Sequence, residues 1–169
     1  MEKPTYIVGI LIVNKDIPLP KTYNPGLNKK MMCCYFYMKM CAMKDGARLK
    51  ITSGFRSYEY QEKIYNEYVK KFGEERTNTF SAKPGYSEHQ SGLAIDICDD
   101  SDSFIGTKED IWLQKNAHKF GFIIRYPKGK NSITGYKYEP WHLRYVGIKH
   151  AKKIYEKKLT LEEYLGLFS

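Results

Sequence analysis

Residues 92–97, Gly-Leu-Ala-Ile-Asp-Ile, constrain this chain more than any other stretch. A short apolar run behind a glycine reads as a strand with at least one buried face, yet it carries a carboxylate, which is costly to bury alone. Strand alternation resolves the conflict. Leu93, Ile95 and Ile97 fall on one face; Ala94, Asp96 and Cys98 fall on the other. Asp96 then projects from the far side of the sheet, beside a small Ala94 that leaves room. Gly92 lets the backbone turn from the preceding loop into the strand and carries His89 back toward the same face.

A second apolar segment behaves alike. Trp141, Leu143 and Tyr145 alternate with His142 and Arg144. If the two strands lie close, His89, Asp96 and His142 converge. Two imidazoles and one carboxylate leave a fourth position open, which is the ligand count of a catalytic zinc site and not of a structural one. Glu139 stands three residues before His142, and Pro140 holds it extended, so the pair is no helical HExxH motif. A glutamate just outside a ligand set can take a proton from water whose pKa the metal has lowered to about 7.

The remaining pattern gives the frame. Residues 6–13 read as one β-branched strand. Met31, Cys34, Tyr35, Met38 and Cys41 recur at helical spacing within 27–44, with Gly46 as the stop. A short strand precedes Gly54, and Ser57 caps a helix that runs to Phe72 with Gly73 behind it. Residues 73–91 lack periodicity and read as a long loop, a length that inside a compact domain tends to be functional. Thr107 with Asp110 opens a helix closed by Gly121; residues 122–126 form a strand, and 127–135 are rich in turn formers. Residues 136–146 read as one or two strands, and Thr160 with Glu163 forms a capping box on a helical tail. Helices segregated from clustered strands argue for an α+β fold, and 169 residues without repeat or linker suit a single domain over 1–169.

Charge and cysteines bound the partners. The net charge of +9 favours anionic partners, but no arginine-rich stripe or nucleic-acid motif is present, so no nucleic-acid partner is expected. The longest apolar stretch, 6–13, is too short to span a bilayer and lacks the marks of a signal peptide. Cys33, Cys34, Cys41 and Cys98 contain no CxxC pair and read as buried free thiols, which suits a reducing compartment. The expectation tips to the cytoplasm; the other reading is an exported, membrane-anchored protein with its leader absent. His118 and His150, beside lysines and outside the two segments, read as surface residues; for Tyr126, Tyr136 and Tyr138, around the second segment, packing is the default reading and cleft lining the alternative.

The stretch SEHQSGLAID matches SxHxxGxAxD, and EPWH matches ExWH. Together they resemble the paired signature of the zinc peptidases grouped with lysostaphin, the D-Ala-D-Ala peptidases and the hedgehog signalling domain. LIVNKDIPLP, SGFRSYEYQ, RYPKGKNSITGYKYEPWHLRYVG and LTLEEYL narrow the resemblance to the VanY and VanXY branch, the bacterial D,D-carboxypeptidases of vancomycin resistance and wall remodelling. The resemblance implies a central antiparallel sheet carrying zinc (Zn2+) on His89, Asp96 and His142, with Glu139 as the general base. It also implies that Arg56, Gln61 and Ser87 contact substrate, Arg56 helping to hold negative charge. The implied reaction is removal, by a monomer, of the terminal D-Ala from peptidoglycan precursors ending in D-Ala-D-Ala. An L,D-carboxypeptidase, a D,D-dipeptidase and a zinc-binding module without hydrolysis are the rivals; Glu139, which has no role in binding alone, speaks against the last.

Overall fold

The computed structural model describes residues 3–168. The apolar run at 6–13 is not one strand. It folds into a hairpin of β1 (Thr5–Ile7) and β2 (Ile10–Ile12), because Val8 and Gly9 both take positive φ and make a two-residue turn. α1 (Lys29–Lys44) starts where the Asn28 side chain accepts the Met31 N–H at 2.9 Å, and Met31, Tyr35, Met38 and Ala42 form its buried stripe. β3 (Ile51–Ser53) leads to α2 (Tyr58–Phe72), capped by Ser57 and stopped at Gly73. The long loop expected at 73–91 holds two short helical pieces, α3 (Glu74–Thr77) and a 3-10 turn over Glu88–Ser91, too brief to show a period in sequence.

β4 (Ala94–Ile97) follows, then α4 (Lys108–Asn116), a 3-10 turn (Ala117–Phe120) and β5 (Phe122–Tyr126). A single turn, α5 (Asn131–Thr134), precedes β6 (Glu139–Tyr145). α6 (Ile148–Lys157) and α7 (Leu161–Tyr164) close the chain, α7 opened by the Thr160–Glu163 capping box.

Four strands make one antiparallel sheet in the order β3-β4-β6-β5. β6 is central although it contains Pro140. The pairing with β4 runs only from Ala94–Arg144 to Asp96–His142, and the β5 pairing is irregular between Ile124 and Tyr126. Pro140 has no register partner in either ladder, so its missing N–H costs no regular bond. One face of the sheet, with Ile95, Ile97, Trp141, Leu143 and Tyr145, packs on α1 and α4 to form the main core. Cys98 departs from the expected alternation: at φ 64 it leaves the strand and packs against this same core. The other face meets the hairpin and the C-terminal helices through Ile10, Ile12, Ile123, Ala151, Ile154 and Leu161. Leu143 is fully buried between β4 and β5. Truncating it to alanine costs about 2–5 kcal/mol, a large share of a domain's total stability.

All four cysteines are free, but Cys33 is exposed and the others are half-buried, not wholly buried as expected. His118 stacks on Tyr155 with centroids 3.6 Å apart and His150 bonds the Tyr164 hydroxyl, so both are half-buried and paired instead of free on the surface. Among the described residues, no helix is long and apolar enough to cross a membrane.

Candidate metal centre and catalytic cleft

Asp96 and His142 are register partners on the central strands. Directly opposed residues of an antiparallel pair share a face, so the register alone brings them together. Asp96 Oδ1 lies 3.0 Å from His142 Nδ1, and Asp96 Oδ2 lies 3.1 Å from His89 Nε2. The 3-10 turn that carries His89 ends in Gly92 at φ 71, where a Cβ would stand 2.0 Å from the Gly26 carbonyl oxygen. Only glycine fits there, and the loop's return to the sheet depends on it. One donor atom from each of His89, Asp96 and His142 lies within 4.8 Å of the others, all three residues buried.

The two imidazoles are oriented by their other nitrogens. His89 Nδ1–H donates to the Gly54 carbonyl at 2.7 Å, which leaves Nε2 as its free donor atom. His142 Nε2–H donates to Glu88 Oε2 at 3.3 Å, which leaves Nδ1. Partners of this kind fix the tautomer of a ligating histidine. Burial alone would lower the pKa of His142, but bonds to Asp96 and Glu88 outweigh it and raise it to about 9. Burial opposes ionisation of Asp96 too, yet the two histidines hold it well below the usual carboxylate range. In His89 burial dominates and the pKa falls.

Glu88 was not singled out from sequence, and it anchors a buried charge network. Its Oε1 accepts from Arg125 Nε at 2.8 Å and from Arg144 Nη1 at 2.6 Å. Arg125 makes a two-pronged contact with Glu162 of α7, at 2.9 and 2.5 Å. Arg144 Nη2 donates to the Leu11 carbonyl on β2. Two guanidinium groups and two carboxylates balance, and all four residues are buried. The two arginines hold Glu88 ionised against its burial.

Glu139, at the start of β6, is not among the three clustered donor residues and lines the adjoining cleft. Burial raises its pKa to about 7, with the Asp96 charge adding to the effect. The cleft measures about 250 Å³ and is also lined by Arg56, Gln61, Ser87, Tyr126, Tyr136 and Trp141. Arg56 Nη2 lies 3.6 Å from Asp96 Oδ2 and its Nη1 donates to Gln61 Oε1 at 3.0 Å. Gln61 in turn donates to the Ala82 carbonyl at 2.8 Å. The corner before α2 thus aims Arg56 at Asp96, with Gln61 as its brace. The Arg56 Nε has no hydrogen-bond partner among the described residues. Tyr138 points elsewhere, its hydroxyl accepting from Gln114.

Sheet order, the two-histidine, one-carboxylate cluster and the adjoining glutamate define a metallopeptidase-like centre of the hedgehog and D-Ala-D-Ala peptidase fold. The chain belongs to the VanY family of D-alanyl-D-alanine carboxypeptidases, whose sequence pattern it matches over residues 24–148. It is 42% identical to a putative carboxypeptidase, YodJ, of Bacillus subtilis (strain 168) over 92% of its own length and 66% of that protein's, and so spans slightly less than two thirds of that relative. It resembles the LdcB LD-carboxypeptidase structure, at 45% identity and a TM-score of 0.84, over 93% of this chain and 85% of the other. It also resembles a mutant of the vancomycin-resistance D,D-pentapeptidase VanY in complex with Zn(II). There the identity is 37% and the TM-score 0.83, over 92% of this chain and 97% of the other.

Proposed function

We propose that this chain is a zinc-dependent D,D-carboxypeptidase that, as a monomer, removes the terminal D-Ala from peptidoglycan precursors ending in D-Ala-D-Ala. The observation that carries the reading is the convergence of three buried donor atoms, on His89, Asp96 and His142, beside a glutamate with a pKa of about 7. The donor set fits zinc. It supplies two imidazole nitrogens with fixed tautomers and one ionised carboxylate, and it borders an open cleft. When bound there, zinc supplies a Lewis acid that polarises the scissile carbonyl and makes water more acidic.

The chain's own groups do the rest. Glu139 takes the proton of the attacking water and returns it to the leaving amine; a pKa near neutrality suits a group that must do both. Arg56, braced by Gln61, holds a fixed positive charge at the cleft wall for the negative charge of the substrate. Ser87, which also lines the cleft, offers a hydroxyl to the substrate. Tyr126 and Tyr136, with ring centroids 4.6 Å apart, and Trp141 supply apolar surface that narrows the cleft. An L,D-carboxypeptidase is the second reading, favoured by the likeness to the LD-carboxypeptidase structure.

Mass spectrometry of products from di-, tetra- and pentapeptide substrates, with metal analysis of the protein, separates these readings. Release of one D-Ala from a pentapeptide is expected; attack on the tetrapeptide alone would move the assignment to L,D-cleavage. An amidated peptide end should lose at least about tenfold in kcat/KM, since hydrogen bonds to a charged partner contribute roughly 1.5–3 kcal/mol each. Equal cleavage of acid and amide would overturn the exopeptidase reading.

A further inference from the structure

α1 presents an apolar face to solvent as well as to the core. At about 100° per residue, Cys33, Phe36, Tyr37, Met40 and Met43 fall within an arc of about 120° directly opposite the buried stripe of Met31, Tyr35, Met38 and Ala42. Phe36, Tyr37, Met40 and Met43 are 55%, 64%, 56% and 63% exposed, and the Tyr37 ring runs into Phe120 at 5.7 Å. Four large apolar side chains side by side on one helix are more than the isolated exposed residues that a soluble surface tolerates without consequence.

The charges around this arc say what it fits. On the same wheel Lys39 and Lys30 flank it, one on each side, while Lys29 and Lys44 stand at its two ends. The helix contains no acidic residue, and the chain as a whole carries +9. An apolar strip rimmed by lysines is complementary to an anionic bilayer surface: the strip enters the interface and the lysine stems reach back to the headgroups. Pairing with a second copy is disfavoured by the same charges, because two such faces would bring the lysines of both helices together with no α1 carboxylate between them. The inner stripe of α1 packs on the sheet face bearing Ile95 and Leu143, whereas Asp96 and His142 project from the opposite face. A bilayer against the outer arc therefore leaves the cleft facing away from the lipid.

We infer that α1 is an interfacial membrane-contact helix, which docks the protein on anionic lipid through Phe36, Tyr37, Met40 and Met43 within a rim of lysines. The test is co-sedimentation of the full chain with phosphatidylcholine vesicles containing about a third phosphatidylglycerol, against vesicles of phosphatidylcholine alone. Binding is expected to the anionic vesicles, weakening in high salt and dropping at least about tenfold on neutral vesicles. The double substitution Phe36→Ser, Met40→Ser should weaken binding by at least about tenfold, and so should Lys30→Glu with Lys39→Glu, each with unchanged circular dichroism and peptidase activity. Binding that survives both pairs of substitutions, absence of binding to anionic vesicles, or a concentration-dependent dimer abolished by Phe36→Ser, Met40→Ser would each overturn the inference.

Discussion

Glu88→Gln is the most informative single change. The carboxylate accepts from two buried guanidinium groups at 2.8 and 2.6 Å and from His142 Nε2 at 3.3 Å. Glutamine keeps the volume and one acceptor but removes the charge, so the buried network passes from neutral to one net positive charge. Removing one partner of a buried pair costs about 3–5 kcal/mol, because the remaining charge stays desolvated. A second effect is specific to the proposed metal site. If the glutamine carbonyl stays with the arginines, its amide faces His142 Nε2. The imidazole then meets a donor, prefers its proton on Nδ1, and turns the wrong nitrogen to the metal. Loss of such a partner weakens metal affinity by about 10–100-fold. Glu162→Gln serves as the control, since it unbalances the same network through Arg125 without touching His142. Urea unfolding of the metal-free protein should report similar losses for both variants, whereas zinc competition against a chelating dye should report the large affinity loss for Glu88→Gln only. Wild-type zinc affinity in Glu88→Gln would refute the claim that Glu88 sets the His142 tautomer.

Glu139→Gln should leave zinc affinity nearly unchanged and lower turnover by about 10²–10⁴, measured by D-Ala release; near-normal turnover would move the base to another group. His142, with a pKa raised to about 9, is protonated at neutral pH in the metal-free protein, so zinc must displace its proton. Apparent affinity should fall by about tenfold per pH unit as the pH drops from 9 toward 7, and a flat profile would count against His142 as a ligand. The same raised pKa stabilises the metal-free fold fully below about 6.5, and that contribution should fade as pH rises through 9, read as a falling Tm that the His142→Asn variant lacks. Thiol titration of the native protein should label Cys33 first and the other three more slowly, all as free thiols; a disulfide found by mass analysis would contradict the structure.

Much of the site was legible because charged residues inside apolar strands are rare and need a reason. Asp96 and His142 stand at alternating positions of two strands, so one rule gave both their face and their meeting. Arg125 and Arg144 carry the same signal, but their partners Glu88 and Glu162 lie far away in sequence, and nothing local pairs them. The hairpin at 5–12 was hidden for a different reason. Val8 is a β-branched residue in a turn position that normally asks for glycine or asparagine, so the run looked unbroken. The exposure of Cys33 was invisible because α1 is apolar on both faces and its period does not say which face is outside.

The paired arginines bear on where this domain can be cut. The family match ends at residue 148, and a protein engineer guided by it would trim there. Such a piece would keep every proposed ligand, the proposed base and the braced arginine, yet lose Glu162, leaving Arg125 with half its counter-charge in a dry interior. Trimming at residue 24 would likewise remove the Leu11 carbonyl that anchors Arg144. The smallest portable unit of this fold therefore runs from the first hairpin through α7, and shorter versions should fail by aggregating rather than by losing specificity.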